Sequence, residues 1–189
     1  GVARESVRAT VEMAEIAAAC GYDVALVRTP TYYAPLMSKS AVLHYFRSVA
    51  DRSPLPVLLY HIPKFVPYAF PVEVIAELAE HPNIIGTKDS TGSVERIRAL
   101  VEGTKNSPRR TVTVTPVFEA VTGRMLKAKP EPSGTFVSAS ELGGGAAVAV
   151  APPTPQIKTR TKDVGFQVLT GSPGTLLESL EAGAAGAVL

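Results

Sequence analysis

Short apolar runs alternate with segments of helical periodicity along most of this sequence. Segments with apolar residues at helical spacing lie at 6–20, 38–50, 71–81, 93–103 and from Pro173 onward. Apolar runs of strand length lie between them, at 24–30, 57–62, 84–89 and 166–170, and another begins at Gly186. Because strands and helices alternate, the sequence predicts a parallel sheet covered by helices.

Periodicity alone leaves two folds open for such a sheet, a doubly wound sheet and a (β/α)8 barrel. Tyr60, Lys88 and Gly171 fall near the C-terminal ends of three predicted strands. Barrel enzymes assemble their active sites at this edge, which favours the barrel. A full (β/α)8 TIM barrel takes about 250 residues, and this chain carries about four and a half strand–helix units. We therefore predict an α/β fold that is a partial TIM barrel.

The alternation breaks between Asn106 and Gly165, where proline- and glycine-rich stretches stand at 130–134, 143–145 and 152–155. We predict barrel units over 1–106, a flexible insertion over 107–164, and a further unit with the start of the next strand over 165–189. Within the insertion, Thr111–Thr115 alternates like a strand. A misassembled gene segment is the alternative interpretation of this stretch.

Composition and charge limit the kinds of partner that this protein is expected to bind. The 189 residues carry 19 basic and 17 acidic side chains, mostly interleaved, so the sequence shows no electrostatic footprint for nucleic acid. No apolar stretch reaches the roughly 18 residues of a membrane span. The stretch 158–162 is basic, but short charge runs are ordinary in loops, so a nucleic-acid-binding module is the weaker hypothesis. We expect a small-molecule ligand, with no nucleic-acid or membrane partner.

Cysteine and histidine usage bears on metals and on compartment. Cys20 is the one cysteine, which excludes a disulfide within these residues and fits a reducing compartment. We expect the cytoplasm, with the mitochondrial matrix as the alternative in a eukaryote. His44, His61 and His81 are dispersed, so the sequence predicts no metal site, and no cofactor is expected.

Strand alternation places Tyr60 and Lys88 so that both side chains can point into one interior. Burial disfavours the ammonium ion, and only the neutral amine attacks a carbonyl to form an imine. A neighbouring phenol can relay protons during such chemistry. Gly86 precedes Lys88 on the same face, where it would leave room for a ligand.

Each of these residues could also have an ordinary structural role. Lys88 could extend to the surface and pair with Asp89 or with an acidic residue of a loop, and Tyr60 could fill the core with its hydroxyl on a carbonyl. His61 has the opposite alternation and is expected to pack against a helix. Arg28 interrupts an apolar run, and we favour an outward position beneath a helix over a role as an anion binder.

Four segments together resemble the dihydrodipicolinate synthase / N-acetylneuraminate lyase family. They are Thr29-Pro30-Thr31-Tyr32-Tyr33, Leu59-Tyr60-His61-Ile62-Pro63, Ile85-Gly86-Thr87-Lys88-Asp89-Ser90 and Leu169-Thr170-Gly171-Ser172. The resemblance covers about 1–106 and 165–189. Lys88-Asp89-Ser90 and the segments 81–84 and 166–169 look most similar to the 4-hydroxy-2-oxoglutarate aldolase branch.

The resemblance implies a (β/α)8 barrel, a homotetramer when full length, and class I aldol chemistry on pyruvate or related 2-oxo acids such as 4-hydroxy-2-oxoglutarate, without metal. By position, Lys88 resembles the imine-forming lysine and Tyr60 the proton-relaying tyrosine. Tyr33, or Tyr32 given a one-residue ambiguity, resembles an aromatic that reaches a neighbouring subunit's site. Gly171 would shape the substrate pocket through its backbone.

The sequence also departs from the family pattern. Dihydrodipicolinate synthases place an arginine where Phe65 stands, and the family's Gly-Thr-Thr-Gly-Glu segment does not occur in these residues. We therefore expect an aldolase, with a synthase joining pyruvate to aspartate semialdehyde as the alternative. A non-catalytic relic of the family is the rival from another class, and the 189 residues by themselves are expected to be inactive.

Overall fold

The computed structural model of the chain describes residues 1–32, 36–66, 68, 70–114 and 160–189. Contacts divide the chain into two compact units, one of residues 1–111 with 163–189 and the other of residues 112–162. Most of the predicted flexible insertion, residues 115–159, lies outside the described residues.

The described elements outside 107–164 follow the predicted order, and two further strands lie at the ends of the predicted flexible insertion. The helices are α1 Val7–Ala19, α2 Lys39–Ala50, α3 Val72–Ala79, α4 Val94–Thr104 and α5 Leu176–Glu181, the last preceded by a 3-10 turn at Pro173–Thr175. The strands are β1 Ala25–Arg28, β2 Val57–His61, β3 Ile84–Asp89, β4 Arg110–Val114, β5 Arg160–Val164, β6 Gln167–Thr170 and β7 Gly186–Ala187.

Strand order separates the two folds that periodicity left open. Five strands form one sheet in the order β1-β2-β3-β6-β7, and every pair is parallel. Each strand therefore lies beside the next one along the chain, apart from the β4–β5 pair, which forms a separate two-stranded sheet. A doubly wound sheet reverses its order at a switch point, whereas barrel strands follow each other in sequence. The predicted partial (β/α)8 barrel is confirmed.

Serine side chains fix where three of the helices begin. Ser6, Ser38 and Ser93 each accept a hydrogen bond from the backbone N–H three residues later, at the start of α1, α2 and α4 respectively. Such caps satisfy one of the N–H groups that have no partner within the helix, and each stabilises its helix by about 1 kcal/mol. The starting points of these three helices are thus set by hydrogen bonds between residues close together in the sequence.

The core lies between the sheet and the helices that cover it. Val27 of β1 and Leu59 of β2 are fully buried on this face, and Phe46 of α2 stacks on Phe70 with ring centroids 5.3 Å apart. Burying a side chain of this size contributes about 2 kcal/mol relative to leaving it exposed. The other sheet face carries Leu26, Arg28 and Tyr60, which are less buried, so side chains of the two faces meet different environments.

Candidate active site

Lys88 and Tyr60 are brought together on neighbouring strands. Tyr60 of β2 pairs in register with Lys88 of β3, and registered residues of a parallel pair project from the same face. The Lys88 Nζ lies 4.6 Å from the centroid of the Tyr60 ring. Lys88 is only 9% exposed, so most of its side chain is buried beside a phenol.

The alternative that Lys88 pairs with Asp89 is wrong. Successive residues of a strand point to opposite faces, so the Asp89 side chain lies behind the sheet. There Asp89 Oδ2 accepts hydrogen bonds from His61 Nδ1 at 2.9 Å and from Arg96 Nε at 2.7 Å. The packing of His61 behind the sheet agrees with its predicted alternation, while the part of Arg96 was not foreseen.

The His61–Asp89–Arg96 network joins the two strands that carry Tyr60 and Lys88, on the opposite face of the sheet from those two side chains. Arg96 lies in the first turn of α4 and also donates to the Phe70 carbonyl, so the network joins β2, β3, α4 and the segment before α3. Burial raises the pKa of the Asp89 carboxyl, but hydrogen bonds from His61, Thr91 and Arg96 outweigh it and hold the pKa well below its usual range. Asp89 is therefore a carboxylate at neutral pH.

Gly171 lies directly against the lysine. A Cβ added at Gly171 would stand 2.1 Å from Ser90 Oγ and 2.7 Å from Lys88 Cε. The Gly171 N–H donates to the Asp89 carbonyl at 2.7 Å, which holds the end of β6 against the end of β3. The absent side chain thus leaves the space that Lys88 and Ser90 occupy. The nearness of Ser90 was not anticipated, because contacts between strand ends depend on register.

The space at Gly86 is not free for a ligand, contrary to expectation. A Cβ at Gly86 would stand 2.3 Å from the Gln167 carbonyl oxygen and 2.9 Å from Leu58 Cδ1. Gly86 and Gln167 are register partners, so the backbone of β6 closes over this position. Glycine is needed there for close approach of two strands.

Arg28 lies on the same sheet face as Tyr60, and the expected position beneath a helix is wrong. Arg28 pairs in register with Tyr60, and both line a cavity of about 330 Å³ together with Leu26. The Arg28 guanidinium donates to the Thr29 carbonyl at 3.0 Å and lies 3.4 Å from Glu5 Oε1. The position of the Arg28 charge is thus set partly by Glu5, which lies near the start of the chain, and not by strand alternation alone.

Tyr33 lies outside the described residues, so its contact with a neighbouring site stays a prediction. Tyr32, the alternative at that position, is 78% exposed, and its backbone N–H donates to Glu5 Oε2 at 2.9 Å. Within the described ranges, no group of three or more His, Cys, Asp or Glu side chains could hold a metal ion. None of the described helices has the length and apolarity to cross a membrane.

The arrangement provides the groups that imine chemistry needs. A primary amine can add to a carbonyl, and the adjacent phenol can donate or accept protons as the intermediate forms and collapses. Both groups lie at the C-terminal ends of parallel strands, where (β/α)8 barrels open to substrates. Lys88 and Tyr60 therefore make the best supported candidate site in the described part of the chain.

Known proteins resemble the chain over its first part. The sequence model of the dihydrodipicolinate synthetase family matches residues 1–109. A probable mitochondrial 4-hydroxy-2-oxoglutarate aldolase of Emericella nidulans is 41% identical over 102 residues, which cover 53% of this chain and 33% of that protein. A 4-hydroxy-tetrahydrodipicolinate synthase of Stenotrophomonas maltophilia is 41% identical over 92 residues, 49% of this chain and 30% of that protein.

Solved structures resemble the chain in fold. The pyruvate complex of a dihydrodipicolinate synthase from Acinetobacter baumannii superposes on all of this chain and on 44% of its own length, with a TM-score of 0.64 and 22% identity. The chain spans about a third of the length of the relatives it matches in sequence. The family model covers more than half of these 189 residues. The chain therefore belongs to the dihydrodipicolinate synthetase family.

Proposed function

We propose that the protein is a class I aldolase that acts on 2-oxo acids derived from pyruvate, with 4-hydroxy-2-oxoglutarate as the favoured substrate. The observation that carries the proposal is the buried residue Lys88, whose amine lies 4.6 Å from the centre of the Tyr60 ring at the C-terminal edge of the sheet. Relatives named as an aldolase of this substrate and as an L-threo-3-deoxy-hexylosonate aldolase support the reaction class.

In the proposed reaction the neutral Lys88 amine adds to the C2 carbonyl, and loss of water from the carbinolamine gives an imine. The protonated imine accepts the electron pair of the C3–C4 bond as that bond breaks. The C4 hydroxyl loses its proton to become the aldehyde of glyoxylate, and C3 gains a proton before hydrolysis releases pyruvate. Tyr60 relays these protons, so the relay returns to its starting state.

Reductive trapping tests the proposal directly. Borohydride reduces an imine of pyruvate to a stable secondary amine, which adds about 72 Da (pyruvate less water plus two hydrogens) to the modified lysine. The protein, as these 189 residues and in its full reading frame, is incubated with pyruvate and borohydride, and the peptide containing Lys88 is weighed. A folded full-length protein that gains no mass at Lys88 would refute the imine mechanism.

Replacing Tyr60 with phenylalanine is expected to lower turnover by about 10²- to 10⁴-fold, because the ring remains while the proton-relaying hydroxyl is lost. Imine trapping by pyruvate should survive, since the ring can still pack against Lys88. The kinetic constants for 4-hydroxy-2-oxoglutarate cleavage and the trapped mass are measured on the same preparation. A variant with unchanged turnover would remove Tyr60 from the relay.

Replacing Gly171 with alanine is expected to lower turnover by about 100-fold with little loss of stability. The added methyl group would meet Lys88 Cε at 2.7 Å and Ser90 Oγ at 2.1 Å, both flexible side-chain atoms, and Ser90 Cβ at 3.2 Å, which needs a shift of only a few tenths of an ångström, so the lysine is displaced while the backbone stays close to its place. A misplacement of about 1 Å in reacting groups can cost this much. Gly174→Ala is the matched control, because a Cβ at Gly174 meets nothing within 4 Å. Equal activity of the two variants would contradict the prediction.

A synthase that joins pyruvate to aspartate semialdehyde is the second candidate, because a relative with a synthase name matches at the same identity as the aldolase. Both candidates share the imine at Lys88, so trapping does not distinguish them. Turnover of 4-hydroxy-2-oxoglutarate is therefore compared with condensation of pyruvate and aspartate semialdehyde. If neither reaction occurs although Lys88 is present in a folded protein, the non-catalytic hypothesis is the one supported.

A further inference from the structure

Three functional groups form a row across the open face of the sheet. Arg28, Tyr60 and Lys88 are successive register partners on β1, β2 and β3. Neighbouring strands are about 4.8 Å apart, so the two cationic residues start roughly 10 Å apart with the phenol between them. A guanidinium is therefore placed on the far side of Tyr60 from the lysine.

Hydrogen bonds hold the guanidinium of Arg28 in place, but some of its N–H donors have no close acceptor among the described residues. Its NH1 group donates to the Thr29 carbonyl at 3.0 Å and reaches Thr31 Oγ1 at 3.4 Å. Its NH2 group has only a long contact of 3.4 Å with Glu5 Oε1, and no acceptor among the described residues bonds Nε. The Nε–NH2 edge can therefore receive both oxygens of a carboxylate, which is the preferred geometry for arginine.

Glu5 does not depend on Arg28 for its charge. Its oxygens accept hydrogen bonds of 2.9 Å from the Thr31 N–H, the Thr31 hydroxyl and the Tyr32 N–H. Burial raises the pKa of Glu5, but these bonds together with Arg28 lower it overall. The contacts to Arg28 are 3.4 and 3.5 Å, longer than those to the loop. A ligand carboxylate can thus bind Arg28 while Glu5 keeps its hydrogen bonds to Thr31 and Tyr32.

The separation fits one class of ligand. A five-carbon 2-oxo acid joined to Lys88 through C2 reaches about 8 to 9 Å from the lysine nitrogen to a guanidinium nitrogen bound at its C5 carboxylate. The backbones that carry Lys88 and Arg28 are two strand spacings of about 4.8 Å apart, and both long side chains extend from them on the same face, so an acid of this length can join the two groups. Arg28 and Tyr60 line the same cavity of about 330 Å³. Lys88 does not line this cavity, but its Nζ lies 4.6 Å from the centroid of the Tyr60 ring, so a ligand joined to Lys88 would extend past Tyr60 toward Arg28.

We propose that Arg28 binds the distal carboxylate of a dicarboxylic 2-oxo acid whose C2 is joined to Lys88. This inference rests on the proposed imine chemistry of Lys88 and adds the residue that selects a dicarboxylic substrate, because the arginine favours a carboxylate over an uncharged end. A second cationic residue, Arg4, lines the same cavity and donates to the Ala3 carbonyl.

A matched pair of ligands tests the proposal without requiring turnover. 2-Oxoglutarate and 2-oxopentanoate have the same five-carbon chain and differ only in ending with a carboxylate or a methyl group. Borohydride trapping at Lys88 of the full-length protein is measured over a range of concentrations of each acid. We expect half-saturation by 2-oxoglutarate at a concentration about 10- to 100-fold lower, as suits a charged hydrogen-bonded pair.

Arg28→Gln should remove this preference by raising the half-saturating concentration of 2-oxoglutarate about 10- to 100-fold. Trapping by 2-oxopentanoate and by pyruvate should stay within about twofold, because neither has a distal carboxylate. Arg28→Lys should retain part of the preference, since an ammonium keeps the charge and loses the two-pronged geometry. This second variant keeps the test decisive if Arg28→Gln does not fold.

Two further variants separate the role of Arg28 from those of Glu5 and Arg4. If the role of Arg28 were only to hold the loop through its contact with Glu5, then Glu5→Gln would reduce the preference for 2-oxoglutarate as Arg28→Gln does. The proposal predicts instead that Glu5→Gln leaves this preference unchanged or makes it stronger. If Arg4→Gln removes the preference and Arg28→Gln does not, the assignment to Arg28 is overturned. Trapping of pyruvate with no preference between the five-carbon acids overturns this inference alone. No trapping of any 2-oxo acid overturns the imine chemistry itself.

Discussion

Replacing Lys88 with arginine is expected to abolish imine trapping and to lower turnover by about 10⁴-fold or more, as loss of a catalytic nucleophile does. Arginine has a side chain of similar reach, but its guanidinium stays protonated in proteins and cannot attack a carbonyl. The measurements are the mass of the peptide containing residue 88 after treatment with pyruvate and borohydride, and kcat for 4-hydroxy-2-oxoglutarate cleavage.

Lys105→Arg is the control for this substitution. Lys105 caps the end of α4, pairs with Glu102 and has a side chain that is 54% exposed, so it differs from the buried Lys88 in both position and environment. It should leave trapping and turnover unchanged. Mass addition to the Lys88→Arg variant at any other lysine, with turnover retained, would show that the amine nucleophile is not Lys88.

Replacing Asp89 with asparagine is expected to lower the free energy of unfolding by about 3 to 5 kcal/mol, the cost of breaking a buried charge network. The Asp89 side chain is fully buried, and its Oδ2 accepts hydrogen bonds from His61 and Arg96. An amide keeps the shape, but its NH2 group would face these donors and the Arg96 charge would lose its partner. Urea unfolding of the full-length protein measures the difference.

The effect should depend on pH in a defined direction. Hydrogen bonds from His61, Thr91 and Arg96 overcome the opposing effect of burial and hold the pKa of Asp89 below that of an unfolded carboxyl. A lowered pKa in the folded state adds stability above the unfolded pKa of about 3.9, and that stability is lost as the pH falls below it. The difference between wild type and Asp89→Asn should therefore be largest near neutral pH and shrink below about pH 4.

Asp51→Asn is a matched control because it also removes a carboxylate from a histidine. Asp51 Oδ1 lies 3.0 Å from His81 Nε2, a distance like that of the buried pair, but the Asp51 side chain is 65% exposed. Exposed pairs contribute about 1 kcal/mol or less. Similar losses for Asp51→Asn and Asp89→Asn would mean that burial of the network does not set its contribution.

The two largest predictions concern adjacent residues with different tasks. Lys88 faces the open side of the sheet and is proposed to react, whereas Asp89 faces the helices and holds the strand that carries Lys88. Strand alternation separates the two functions by one residue. This division would be supported if the substitution at position 88 lowered activity without lowering stability, and if the substitution at position 89 lowered stability.

Much of the fold was predictable because its determinants are local. Apolar runs, helical spacing and the serines that begin α1, α2 and α4 fixed the element order in the described parts of the chain. Local pattern was less informative about burial in α5, where Leu177 is 66% exposed, Leu180 is 42% exposed, and Ser179 is buried. Which side of a short helix packs inward depends on the elements beside it.

The amino-acid sequence by itself determined that Tyr60 and Lys88 lie near the ends of two buried strands, because strand periodicity and turn residues act over a few positions. Only the tertiary structure decided that Asp89 binds His61 and Arg96, that the Gln167 carbonyl fills the space at Gly86, and that Arg28 stands beside Tyr60. These contacts join segments far apart in the chain. Their geometry follows from strand register and packing, which a local pattern of residues does not contain.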